Sequence, residues 1–258
     1  MSQASPARSI EALPSATRIP VAAGTILLTL LDTFGLVCDG RAVAVPMSAQ
    51  RLLALLALHP RPLLRPFVAG TLWPETSEER AHANLRSALW RLHRLGYRFV
   101  EAAGPRLSLG SAVEVDLRSS EALARRLLDV GDGAALPADP SPLFGDLLPD
   151  WYEDWVLLER ERFRQLRLRA LDALCDRLTR AGRHDEALDV GLAALAAEPL
   201  RESAHRALVR IHLAEGNAGE ALRQYRLCSR LLAEQLGIEP SDQMRALVGS
   251  VTMSETTA

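Results

Sequence analysis

Lysine does not occur in this sequence of 258 residues, so every basic side chain apart from histidine is an arginine. A Walker-type phosphate loop needs a lysine to reach the β- and γ-phosphates of a nucleotide. Schiff-base and pyridoxal chemistry need a lysine amine. The absence of lysine excludes both classes of enzyme. It is also usual for proteins from GC-rich genomes and indicates no function by itself.

Cysteine is scarce, and long apolar runs are missing. Cys38, Cys175 and Cys228 lie far apart, which fits neither a disulfide framework nor a CxxC metal or redox pair. The apolar stretch 21–31 is too short to span a bilayer and is followed by Asp32. We therefore expect a cytoplasmic protein in a reducing compartment, associated with the nucleoid, with no membrane contact.

Catalytic and metal-binding motifs are absent as well. The six histidines form no HExxH motif and no Cys/His cluster, and no GxSxG or GxGxxG occurs. Acidic residues of the back half alternate with arginines, as helix surfaces do when they form i,i+4 pairs. We expect no enzyme, no cofactor and no metal, and we expect the repeat histidines His205 and His212 on polar surface.

Charge is divided unevenly along the chain. Residues 21–118 hold eleven arginines against eight acidic residues, a net charge of +3, whereas residues 119–258 hold seventeen against twenty-three, a net charge of −6. Such asymmetry suggests two domains with partners of different character. Residues 1–20 are rich in Ser, Ala and Pro without periodicity, which predicts a disordered lead-in.

The front domain begins with short β-like runs, continues with three helices and ends with a hairpin. Asp39-Gly40 has the sequence of a type I′ hairpin turn. We expect Ser48 to cap the first helix, Pro66 to open the second, and Thr76 with Glu79 to form a capping box on the third. The predicted strands are 26–31, 34–38, 42–45, 98–101, 106–109 and 113–115. This order predicts a winged helix-turn-helix with an N-terminal antiparallel sheet.

The third helix, expected to end at Leu95 before Gly96, separates into two faces on a helical wheel. One face is apolar and must pack on the core: Ala81, Leu85, Ala88, Leu89, Leu92 and Leu95. The opposite face is basic, and in a helix-turn-helix that face enters the major groove. The predicted DNA contacts are Arg80, Asn84, Arg86, Ser87, Arg91 and Arg94, with Arg65 on the preceding helix and Arg106 at the hairpin tip.

Two features of this face have alternative explanations. An arginine-rich outer face is normal for any solvated helix, particularly in a protein without lysine. Trp90 lies on the same side, where it would stack on the wing, pack against the second domain or touch DNA.

The back domain is predicted to be all-helical and to contain a repeat. The stretch 182–188 is echoed at 216–222, an offset of 34 residues, which is the period of tetratricopeptide repeats. The fold class is therefore mostly α, a winged helix followed by a tetratricopeptide-like domain.

These residues resemble the SARP-type regulators, the antibiotic regulatory proteins of actinobacteria. The resemblance is carried in front by Leu72-Trp73-Pro74 and by the segment 85–92, and in the back by the segments 198–202, 221–225 and 236–240. It implies a bacterial transcriptional activator domain, activation from promoters with direct repeats, two protomers side by side and contact with RNA polymerase. It also implies a small, stand-alone member, because no ATPase domain follows.

Three functions are compatible with these features. The first is a sequence-specific activator that binds double-stranded DNA through its arginines. The second is a protein-interaction adaptor whose winged helix no longer binds DNA, which the modest front charge of +3 favours. The third is a small-molecule sensor in the helical repeats, for which the sequence offers no positive evidence.

Overall fold

The first sheet forms around the predicted hairpin. The structure, a computed structural model, describes residues 25–129 and 135–255, so the predicted lead-in 1–20 lies outside the described residues. Strands β1 (Ile26–Thr29), β2 (Gly35–Cys38), β3 (Arg41–Ala42) and β7 (Val113–Val115) lie in the order β3-β2-β1-β7, with β1 and β7 parallel. Asp39 and Gly40 have φ values of 49° and 74°, as a type I′ turn requires.

The second sheet is the wing. It comprises β4 (Leu63–Leu64), β5 (Val100–Ala103) and β6 (Arg106–Leu109) in the order β4-β6-β5, with Gly104-Pro105 as the turn. The hairpin was predicted, but its first strand begins two residues later than expected. Strand β4 was not predicted, because two residues show no periodicity.

Three helices lie between the sheets: α1 (Met47–Leu58), α2 (Arg65–Leu72) and α3 (Glu78–His93). Both predicted caps are wrong. Ser48 lies inside α1, which follows Pro46 without a side-chain cap. Ser77 caps α3 by accepting from the Arg80 amide at 3.4 Å, whereas the hydroxyl of Thr76 donates to the Trp73 carbonyl at 3.1 Å. The N-cap positions, Pro46 and Ser77, lie two residues and one residue from the predicted caps, because several neighbouring residues can begin a helix.

The back half is helical, as predicted. Its helices are α4 (Asp116–Asp129), α5 (Asp154–Arg180), α6 (His184–Ala197), α7 (Glu202–Ala214), α8 (Ala218–Leu236) and α9 (Asp242–Glu255), with a short 3₁₀ turn at Ser141–Leu143. Helices α6 and α8 each follow a glycine with positive φ, Gly182 at 73° and Gly216 at 78°, which is the repeated sequence feature. No helix in the described ranges is both long and apolar enough to cross a bilayer.

The apolar core of the winged helix continues into the back half. Leu147, Leu148, Val156 and Phe163 are buried in the same cluster as β1 and α1–α3. An isolated bridge joins Leu31 to Leu147. The predicted domain limits, 21–118 and 119–258, stay a prediction, and the shared core means that the two parts are packed against each other.

Candidate nucleic-acid interface

Helix α3 is fixed by its apolar face. Ala81, Leu85, Ala88 and Leu92 are buried, and Leu89 is half-buried. Leu95 was expected in the core but is 36% exposed, because α3 ends at His93 and the chain turns away through Gly96 at a φ of 80°. The prediction for Leu95 is therefore wrong, while the rest of the buried stripe sets the rotation of α3.

That rotation directs the opposite face to solvent. The exposed residues on this face are Arg80, Arg86, Ser87, Arg91 and Arg94, and Asn84 is half-buried at its flank. Glu78 and Glu79 occupy the first turn of α3, where the positive end of the helix dipole stabilises their negative charges. The basic part of the face is consequently its C-terminal two-thirds.

Trp90 lies in the middle of this face with 57% of its surface exposed. The guanidinium carbon of Arg94 lies 4.8 Å from the centre of the indole ring, one helical turn away. This cation–π contact restricts both side chains. The Arg94 contact differs from the three predicted contacts of Trp90, which were with the wing, with the second domain and with DNA.

Arg65 and Arg106 meet where α2 joins the wing. Arg65 begins α2, and its backbone amide donates to the Pro105 carbonyl at 2.9 Å, so that amide is not free to hold a phosphate as expected. Arg106 begins β6, and its guanidinium donates to the Pro62 carbonyl at 3.1 Å. Both side chains keep further N–H groups, and Arg106 directly follows the Gly104-Pro105 turn, at the end of the hairpin where it was predicted.

The arginines of the two halves differ in their partners. The α3 arginines Arg80, Arg86, Arg91 and Arg94 make no ion pair within 4 Å to any residue that the structure describes. Many arginines of the back half are paired, such as Arg201 with Asp172 at 2.7 Å and Arg210 with Asp176 at 2.8 Å. The front half therefore presents cations that an external anion can neutralise.

The back-half motifs that carried the resemblance form contacts between helices. His205, expected on polar surface, is 1% exposed: Nε2 lies 2.9 Å from the Pro199 carbonyl and Nδ1 lies 2.7 Å from the Gln224 amide. Burial lowers the pKa of His205, and the hydrogen bond to the Pro199 carbonyl raises it by a smaller amount. Glu202 accepts from the backbone amide of Ser241 at 2.7 Å and from its hydroxyl. These residues join α7 to α8 and α9.

Two arginines of α5 were not singled out by the sequence. Arg160 donates to the carbonyls of Leu147 and Trp151, each at 2.7 Å. Arg167, 2% exposed, donates to the carbonyls of Phe144, at 3.2 Å, and Gly145. Both hold the segment 144–151 against α5. These partners lie 9 and 13 positions away from Arg160 and 22 and 23 positions away from Arg167, and no local sequence pattern indicates such pairs.

The fold and the basic face define a winged helix joined to a helical-repeat domain, and the comparisons agree. The family model "Bacterial transcriptional activator domain" matches residues 111–251. That match spans more than half of the chain, so the chain belongs to this family of transcription regulators, and the predicted SARP-type resemblance is confirmed.

Two curated relatives are similar to most of the chain. Regulatory protein AfsR of Streptomyces coelicolor is 29% identical over 233 residues, which covers 81% of this chain and 22% of that protein. Regulatory protein AfsR of Streptomyces griseus is 27% identical over 223 residues, covering 78% and 22%. The chain therefore spans little more than a fifth of the length of these relatives.

A solved structure shares the fold. Mycobacterium tuberculosis EmbR, in complex with a low-affinity phosphopeptide, superposes with a TM-score of 0.73 at 22% sequence identity. The match covers 89% of this chain and 65% of EmbR. It confirms the predicted fold class, a winged helix followed by a helical domain.

Proposed function

We propose that the chain binds double-stranded DNA in a sequence-specific manner and activates transcription there. The observation that carries this proposal is the set of exposed, unpaired arginines on α3, opposite its buried stripe. Arginine matches guanine O6 and N7, or a phosphate, through two parallel hydrogen bonds. Arg86, Arg91 and Arg94 would contact bases and nearby phosphates, with Arg80, Asn84 and Ser87 at the margins of the site.

The geometry of α3 suits the major groove. Its 16 residues give a helix about 24 Å long, and a groove about 12 Å wide admits one α-helix. Arg65 and Arg106 lie on the wing side, where they would bind the phosphates beside the groove. Phosphate contacts supply much of the affinity and make it depend on salt.

The helical part would bind protein. We propose that residues 21–118 hold the DNA, while residues 119–258 contact RNA polymerase or a second protomer. Support comes from the net charge of −6 and from exposed apolar side chains on and beside α5, including Tyr152 at 78% and Leu158 at 63%. Exposed apolar side chains mark protein-interaction surfaces where they form a contiguous patch.

The adaptor function is the second candidate. It is favoured by the small front charge of +3 and by the acidic first turn of α3, which a phosphate would avoid. In that case the basic face would be ordinary solvated surface, and the helical repeats alone would carry the function.

The experiment is a selection of genomic fragments with purified protein at 50 and 200 mM salt. The test variant is Arg86→Ala with Arg91→Ala. The matched control is Arg226→Ala with Arg230→Ala, which removes the same charge from two exposed positions on α8. We expect the wild type and the control to enrich one recurring sequence, with weaker binding at the higher salt.

The test variant should bind that sequence at least thirtyfold more weakly, since each well-formed arginine–base pair contributes about 1–3 kcal/mol. Equal losses in the test and control variants would contradict the assignment of α3 as the reading helix. A folded wild type that enriches nothing even at 50 mM salt would favour the adaptor.

A further inference from the structure

A cleft of about 540 Å³ lies between the C-terminal half of α3 and the wing. Its floor is apolar: Leu92, Phe99 and Leu107 line it, and each is at most 2% exposed. The accessible apolar surface lies on the walls, where Leu89 of α3 and Val100 of β5 are half-buried and Ala102 of β5 is exposed. The volume is within the range of small-molecule sites, about 300–1,000 Å³, and far larger than a single phosphate group needs.

The charged residues that line the cleft are all basic. Arg65, His93 and Arg98 line it, and no carboxylate does so among the described residues. The carboxylate that interacts with Arg98 is Glu101, which instead accepts from the Ser111 amide at 3.0 Å and from its hydroxyl at 2.8 Å. The cleft thus offers an apolar surface beside a cationic edge.

The cleft is held open by a fixed backbone. A side-chain carbon at Gly110 would lie 2.1 Å from the Arg98 carbonyl oxygen, so β6 and the segment before β5 approach each other as closely as only glycine allows. The Gly110 amide donates to the Phe99 carbonyl at 2.8 Å. The backbone at Arg98 is therefore fixed by the fold before any ligand arrives, and its exposed side chain extends from that fixed point.

We propose that this cleft binds a small organic anion with an apolar body, such as an aromatic carboxylate or sulfonate, and that the bound anion competes with DNA. The apolar body lies against Leu89, Val100 and Ala102, and the anionic group meets Arg65 and Arg98. A DNA phosphate alone would neutralise the edge but leave these apolar walls exposed to water, which is why the geometry favours a compact apolar ligand.

Competition follows from where the cleft lies, and this part of the proposal rests on the proposed function. A ligand there touches α3 on one side and β5 on the other, the two elements that DNA would approach together. It also takes Arg65, one of the proposed phosphate contacts. Its release would return Arg65 to the DNA.

The test titrates the protein with 1-anilinonaphthalene-8-sulfonate, a fluorescent aromatic anion, and with N-phenyl-1-naphthylamine, its uncharged counterpart. Ala102→Phe fills the cleft from β5. Ala103→Phe is the matched control, because the neighbouring residue of the same strand faces the opposite side and is equally exposed. Arg98→Gln removes one charge from the edge.

We expect one equivalent of the anion to bind the wild type and Ala103→Phe alike. Binding should weaken at least tenfold in Ala102→Phe and severalfold in Arg98→Gln, and the uncharged compound should bind at least tenfold more weakly than the anion. Saturating anion should reduce affinity for the selected DNA in the wild type and in Ala103→Phe, but not in Ala102→Phe.

Equal binding of the anion by Ala102→Phe and Ala103→Phe would overturn the site. Equal affinity for the anion and for its uncharged counterpart would show that Arg65 and Arg98 do not bind the anionic group. Unchanged DNA affinity at saturating anion would overturn the competition. If the anion binds as expected but no DNA binds even without it, the proposed function fails while the ligand site stands.

Discussion

The imidazole of His205 is enclosed between α7 and α8, where both ring nitrogens have partners. The Pro199 carbonyl only accepts, so Nε2 carries the proton and Nδ1 accepts from the Gln224 amide at 2.7 Å. A second proton on Nδ1 would face an N–H donor in a buried site. Burial accordingly lowers the pKa of His205, with the Pro199 carbonyl and Glu202 opposing that effect.

This arrangement predicts a pH dependence of folding. Because the folded pKa is below the ordinary value near 6.5, the unfolded chain takes up the proton first as pH falls. The stabilisation that neutral His205 provides is present above about pH 6.5 and is lost as pH falls below that value. The free energy of unfolding then falls with a limiting slope of about 1.4 kcal/mol per pH unit. Urea unfolding of the wild type and His205→Gln between pH 8 and 5 measures the difference in slope. His93→Gln, an exposed position, is the control, and identical slopes in all three proteins would refute the prediction.

At the scale of helices, two glycines test how closely the repeat helices pack. A side-chain carbon at Gly191 of α6 would lie 2.7 Å from Cδ2 of Leu208 on α7, and Leu208 is buried. A carbon at Gly219 of α8 would meet nothing within 4 Å. Gly191→Ala should therefore lower the free energy of unfolding by about 1 kcal/mol, because the cost of overpacking exceeds the gain in helix propensity. Gly219→Ala should raise the free energy of unfolding by about 0.5 kcal/mol or more. Denaturant unfolding of both variants gives the signs, and a gain in both would show that α6 and α7 can move apart.

The helices themselves were largely predictable from sequence, and their ends were not. Periodicity places α3 and its buried stripe, since burial of Leu85, Ala88 and Leu92 depends only on their spacing. The capping residue does not follow in the same way: Thr76, Ser77 and Ser48 are all chemically suitable, and tertiary packing selects among them or none. Leu95 illustrates the consequence, because a helix two residues shorter than expected moves that side chain out of the core. The exposure of the predicted DNA-contact arginines follows from the same periodicity, whereas the carbonyl partner of Arg106 does not.

Across the whole molecule, the joint between the two halves could not be predicted, because its contacts link residues remote in sequence. The Asp116 carboxylate accepts from the amides of Leu30 and Leu31, at 2.9 and 3.0 Å. The Asp32 amide donates to the Asp146 carbonyl at 2.7 Å, and the Asp146 amide donates back to the Asp32 carboxylate at 2.9 Å. No local pattern identifies such pairs. They connect the chain just after β1 directly to the start of α4 and to the segment before α5.

Arg167 provides the test of that joint. Its buried guanidinium donates to the carbonyls of Phe144 and Gly145, in the segment that contacts residues 30–32 after β1. Hydrogen bonds from charged groups contribute about 1.5–3 kcal/mol each. We expect the wild type to unfold in a single transition by calorimetry and by circular dichroism, because both halves share one core. Arg167→Ala should lower the free energy of unfolding by about 3 kcal/mol, whereas Arg169→Ala, exposed on the same helix, should change it by less than about 0.5 kcal/mol. Equal effects of the two substitutions, or two separate transitions in the wild type, would mean that the halves are independent and that α3 is free to reorient relative to the helical repeats.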